Sequence, residues 1–238
     1  MKLTIALAAL AAVTSGAAFA QDSAAPSQGA PAAASAAPAC ELHLWPAERM
    51  TATTTGWLSG FAGGLGALVE ASSNAGQNAG HRSQLASALD SPSQLSALQS
   101  MDLVQLLSLP AGTVVVPHET PLVRNTMNSV KIRRSDSTAG CYYELITADV
   151  AYRKAAIYGR SLRTLFMLRE FGDDQRIDFE YKSWGGNGLS HFPPAEGEDV
   201  TVAMTELNDV FRRNFEEYAN NERQAMARHR NRNRSRNR

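Results

Sequence analysis

Cysteine is nearly absent from this 238-residue chain; Cys40 and Cys141 are the only two. No Cys-x-x-Cys is present, which excludes the motif of thiol exchange. The G-x-S-x-G elbow, S-x-x-K, H-E-x-x-H and the P-loop are missing as well. "GWLSG" sets its serine one position too late for a hydrolase elbow, and "WGGNG" lacks the Lys-Ser/Thr of a phosphate cradle. His43, His81, His118, His191 and His229 are scattered without ligand spacing, and "GDDQRIDFE" lacks the alternating oxygens and glycine of a calcium loop. Neither metal nor cofactor is expected, and these absences point away from an enzyme. No repeat period of a solenoid is found.

Long apolar runs are also scarce. "LTIALAALAAV" follows Lys2, is too short to span a bilayer, and leads to "GAAFA", an A-x-A cleavage pattern. Residues 1–20 therefore predict a signal peptide cut after Ala20, leaving no transmembrane helix and placing the protein in the periplasm or outside the cell. Gln21, not cysteine, follows the cut, so no lipid anchor is implied. Residues 21–39 are almost wholly Ala, Pro, Ser, Gly and Gln, with little to bury, and predict a disordered tether. Residues 40–222 are long enough for one domain with a real core.

Acid is absent from the C-terminus. Residues 223–238 carry seven arginines and no Asp or Glu. With those and Lys2 set aside, fifteen basic face twenty-three acidic residues, so a chain of zero net charge divides into a body at −8 and a tail at +7. The alternation "RHRNRNRSRNR" predicts a disordered interaction tail, since its charges repel and nothing in it is apolar. Arg228, Arg230, Arg232, Arg234, Arg236 and Arg238 suit phosphates and carboxylates. Export makes anionic envelope lipid the expected partner, or another envelope protein, ahead of nucleic acid.

Two cysteines in an exported chain predict a disulfide. Each opens a strand-like run, "CELHLW" and "CYYELITADVAY", so neighbouring strands would bring the sulfurs together at one end of a sheet. Closing a loop of that length constrains the unfolded chain by roughly 4–5 kcal/mol on the entropic account.

Along the folded part, Gly56, Gly60 and Gly64 recur at G-x-x-x-G spacing, which permits close helix approach; the segment reads as a glycine-rich part of a soluble domain, with a membrane-associated homo-oligomer as the rival. Ser91 as a cap, with Pro92 at the first helical position, marks a helix start, and Asp102 caps a second short helix. "TVVVP" and "PLVRNT" read as short strands. The runs 141–152 and 161–171 predict a long hairpin, with Tyr142, Ile146, Val150 and Tyr152 on one face, and Glu144 or Asp149 meeting Arg163 or Arg169 across strands. Residues of about 198–226 predict a helix with an apolar stripe from Val200 through Leu207 and Asn214 to Tyr218. The fold class is α+β: an antiparallel or mixed sheet built around the hairpin at about 141–171 and covered by helices.

"SWGGNGLSHFPP" reads as a loop, and Trp184, His191 and Phe192 on its glycine-rich scaffold are the candidate ligand-facing residues. The signal, the Ala/Pro tether and the "CELHLWP" start resemble uncharacterised exported proteins of Gram-negative bacteria. The order strand, helices, hairpin, terminal helix is similar to small periplasmic α+β domains of envelope assembly and secretion lipoproteins, which implies a non-enzymatic binding or assembly module. The missing lipidated cysteine departs from that pattern. A periplasmic hydrolase with a site near 183–194 is the alternative.

Overall fold

The computed structural model describes residues 40–55, 87–123, 126–195 and 197–236. The signal, the tether, the Gly56/Gly60/Gly64 stripe and Arg238 lie outside the described residues.

Among the described residues, six strands form one mixed sheet. They are β1 (Glu41–Trp45), β2 (Thr51–Thr55), β3 (Val114–Pro117), β4 (Tyr142–Ala155), β5 (Gly159–Phe171) and β6 (Ile177–Leu189). Between β2 and β3 lie α1 (Ser91–Gln99) and α2 (Leu103–Leu106), and α3 (Val200–Arg236) closes the chain. The strand order is β3-β1-β4-β5-β6, and β2 shares the β1 flank of β4. The architecture is the expected α+β sheet around a hairpin.

β4 is rich in aromatic and β-branched residues, which favour a pleated surface, and β5 answers it with Leu162, Phe166, Leu168 and Phe171. They pair antiparallel from Tyr142↔Phe171 to Ala155↔Gly159, so the connection is three residues and not eight. Gly159 closes it at φ +71°, a conformation that side chains with a Cβ resist. A bulge between Thr147 and Asp149 changes which residues share a face. Tyr143, Leu145, Val150 and Tyr152 enter the helix-covered core, while Tyr142 and Ile146 face the other way. The expected grouping of Tyr142 and Ile146 with Val150 and Tyr152 is thus corrected: the extra residue inverts the alternation.

Helix α3 lies on β5 and β6. Phe166 of β5 meets Phe211, Phe215 and Tyr218 at ring distances of 5.6, 5.2 and 5.4 Å. Asn214 is buried among them, yet its amide donates to the Leu162 carbonyl and Thr164 hydroxyl and accepts from Asn187, which pins the helix in register. Gly185 of β6 allows this approach, because a Cβ there would stand 2.9 Å from the Asn214 Cα.

Four further expectations are revised. Asp90 caps α1 through the Ser93 N–H, while the Ser91 hydroxyl donates to the Ala47 carbonyl. Asp102 does cap α2. Pro121–Val123 forms no strand, and Ser183–Leu189 belongs to β6 rather than to a loop. Most consequentially, α3 does not end near 226. It runs to Arg236, so the arginines to that point are helical: arginine is a good helix former, and positive charge suits the negative end of the helix dipole.

Candidate functional site

One end of the sheet gathers the unusual chemistry. Parallel pairing sets Glu41 of β1 beside Tyr142 of β4, which places Cys40 and Cys141 together with Cα atoms 4.7 Å apart in a disulfide. Phe171 at the end of β5 and Ile177 at the start of β6 complete this row. The C-terminal turns of α3 arrive at the same end: His229 lies 5.3 Å from the Phe179 ring and 3.6 Å from Asp178, and Arg230 lies 3.8 Å from Glu170.

At 1.5 Å per residue the 37-residue α3 is about 55 Å long, against about 43 Å for a 13-residue strand. It therefore overhangs the sheet. Met226 is its last buried side chain; residues 227–236 carry Arg228, Arg230, Arg232, Arg234 and Arg236, all exposed, and no acid, and the turn past His229 and Arg230 projects. Helical spacing sorts these arginines into two stripes. Arg228, Arg232 and Arg236 follow one flank; Arg230 and Arg234, with Arg223 before them, follow the other. The line between them, His229 and Asn233, is partly buried and hydrogen-bonded within itself at 3.0 Å.

The sheet face away from the helices is polar at its centre. A transverse line crosses it: His43 of β1, Glu144 of β4, Arg169 of β5 and Glu180 of β6 stand in register. Glu144 accepts the Arg134 backbone N–H at 2.9 Å and lies 3.3 Å from the Arg134 Nε and 3.9 Å from Arg169. Arg169 donates to Glu180 and to the carbonyls of Met127 and Val130. Arg133 lies over the Tyr142 ring, whose hydroxyl is pushed up to about 12 by burial. These bonds fasten the 126–139 segment onto the sheet.

At the β3 side of this face, the Glu41 carboxylate accepts from His43 Nε2 at 2.9 Å and from the Ser137 hydroxyl. The other ring nitrogen of His43, Nδ1, lies 2.8 Å from His118 Nε2, one of the pair donating and the other accepting. Trp45 stacks flat on His118 with ring centres 4.1 Å apart. The Ser137 hydrogen bond, then His43, holds Glu41 below the ordinary carboxylate value; burial, then the neighbouring His43, lowers His118.

The candidate loop residues do not converge. Trp184 stands beside Leu165 on the polar-side face, with Arg163 over its ring at 5.6 Å. Phe192 is buried on the opposite side, edge-on to Tyr152. His191 is exposed, and its backbone N–H donates to Glu206, as do those of Ser190 and Phe192. Desolvation pushes Glu206 up, but these three donors outweigh it and leave the carboxyl below its usual value. Among the described residues, no three His, Cys, Asp or Glu side chains group to hold a metal, and no helix is long and apolar enough to cross a membrane.

Sequence reasoning missed two features. The ionic line is spread over four strands and one loop, so only its Glu144–Arg169 step was visible as a cross-strand pair. Glu222, fully buried, sits one turn beyond Tyr218, at the place where the apolar stripe would next fall. Extending the stripe one turn would have found it.

No family model matches this chain, and no curated protein matches it. Among solved structures, a proposed lipoprotein from Caulobacter crescentus CB15, determined at 2.40 Å, is similar over 40% of this chain and 69% of its own. Identity is 14% and the TM-score 0.27, a likeness too slight to carry an argument about fold or role.

Proposed function

We propose that this chain is an extracytoplasmic, non-enzymatic binding module of the bacterial cell envelope that attaches to anionic, phosphate-bearing lipid surfaces through the overhanging end of α3. The observation that carries the reading is the arm itself: ten residues beyond the last buried side chain, five exposed arginines and no acid. A helix holds these guanidiniums in two stripes, so fewer degrees of freedom are lost on binding than from a disordered tail. The −8 body keeps the remainder of the molecule off a negative surface and orients the arm toward it. The Cys40–Cys141 disulfide supports an oxidising compartment.

Cosedimentation of the full chain with phosphatidylglycerol/phosphatidylcholine vesicles tests this. Binding is expected at 50 mM salt, to weaken steeply by 300 mM, and to be absent with phosphatidylcholine alone. Each arginine near such a surface contributes about 1 kcal/mol, so Arg→Gln at 228, 230, 232, 234 and 236 together should weaken binding by at least about a hundredfold. Equal binding of variant and wild type would defeat the proposal.

A further inference from the structure

The arm is joined to the body through an anomalous residue. Glu222 is 0% exposed, and neither carboxylate oxygen has a hydrogen-bond partner. It lies four residues before Met226 and two turns before His229 and Arg230, which still reach the sheet. The groups around it are Tyr143 on β4, Glu170 on β5, and Tyr218, Arg223 and Arg230 on the helix itself. Both arginines are exposed, and Arg230 leans instead on Glu170, whose carboxylate also accepts the Tyr143 hydroxyl at 3.4 Å. Just beyond, the root of the arm is held by His229 against Asp178 and Phe179.

A carboxyl group buried without a donor is tolerable when neutral and costly when charged, by several kcal/mol for an unpaired ion. Leaving the sheet would hydrate it. Glu222 thus couples its proton to the seating of the helix turns that carry the arm.

We propose that Glu222 is a proton-operated latch: protonated, it keeps the root of the arginine arm seated on the sheet, and ionised, it lets those turns lift away. The inference rests on the arm being the binding element, and it supplies the regulation of that element. Burial raises the Glu222 carboxyl to about 8, with Arg230 opposing and Glu170 adding to the rise. The seated state therefore binds the proton more tightly than the lifted state, whose carboxyl titrates near the usual 4.5. Seating is at full strength below 4.5, weakens as pH rises from there to about 8, and changes no further above it. A protein exposed to the external medium would hold its arm rigid in acid and loosen it toward neutrality.

The test is amide hydrogen exchange on the full chain at pH 5.5 and 7.5, without vesicles, with rates in 219–236 corrected for intrinsic pH dependence. Wild type should lose protection in this segment at pH 7.5, by up to about a hundredfold over the two units, while β4 and β5 hold theirs. Glu222→Gln, neutral at both values, should keep high protection throughout; Glu222→Met provides a second neutral variant if the amide disturbs folding. Equal wild-type protection at the two values, or the same loss in both neutral variants, overturns the latch. Because no vesicle is present, that outcome is separate from failure of the lipid-binding reading, which the vesicle experiment decides.

Discussion

The two faces of the sheet are closed by opposite means. Over one, Phe166, Leu168, Tyr143 and Val150 meet the apolar stripe of α3 and the short helices α1 and α2. Over the other, Glu144 and Arg169, both fully buried, are covered by a segment whose own Arg134 and carbonyl groups bind them. The apolar face loses stability in proportion to the volume removed from it. On the ionic face the cost depends on which partner is left behind, because a buried charge without its counter-charge is worse than no charge at all.

The largest expected effect tests that distinction. Glu144→Leu leaves the buried Arg134 guanidinium without a carboxylate and Arg169 with Glu180 alone, and should cost about 3–5 kcal/mol in urea unfolding. Replacing all three members, Arg134→Met, Glu144→Leu and Arg169→Met, should give a protein more stable than the single variant. On the helix side, Phe211→Ala should cost a similar 3–5 kcal/mol, but adding Phe166→Ala should deepen the loss. If the ionic triple also proves worse than its single, the two faces obey one rule and the contrast fails.

A smaller effect comes from two adjacent glycines that point to opposite faces. At Gly185 an added methyl meets the Asn214 backbone, which cannot move without shifting α3, so Gly185→Ala should cost about 1–3 kcal/mol. At Gly186 the nearest atoms belong to the Arg163 side chain, 3.5 Å away and able to yield. Gly186→Ala should be within about 0.5 kcal/mol of wild type. Thermal unfolding of the pair gives the answer directly; equal losses would mean that the helix face is no more tightly packed than its counterpart.

Those glycines also explain what was legible in the sequence. The hairpin, the two capped short helices, the disulfide and the α3 stripe were readable because each rests on local pattern: alternation, a cap, a period of 3.6. The strand 183–189 was not. "GGNG" is a loop signal in isolation, and it is a strand here because α3 crosses so close that Gly185 cannot carry a side chain. The bulge at Thr147/Asp149 has no local mark, so the face assignment of β4 came out inverted beyond it. For the candidate site, the arginines were evident but their helix was not, because a polar, self-repelling run reads as disorder until a docked helix feeds into it. Trp184 and Phe192 looked like one loop's residues, yet Trp184 stands on the polar side of β6 and Phe192 is buried beside Tyr152 on the other.

The smallest effect separates the faces by the sign of their pH dependence. On the polar side, the Ser137 hydrogen bond and then His43 lower the Glu41 carboxyl, so its contribution is present above about 4.5 and lost as pH falls through the depressed value. Its side chain is 30% exposed, which limits the term to below about 1 kcal/mol after solvent screening. On the helix side, the raised Glu222 contributes below 4.5 and loses its contribution as pH climbs toward 8. Midpoint temperatures from pH 3 to 8 for wild type, Glu41→Gln and Glu222→Gln should then diverge in opposite senses. The stability that wild type holds over Glu41→Gln should shrink on acidification, whereas its stability relative to Glu222→Gln should grow. Two differences of the same sign would show that one of these carboxyls does not feel the face on which it sits.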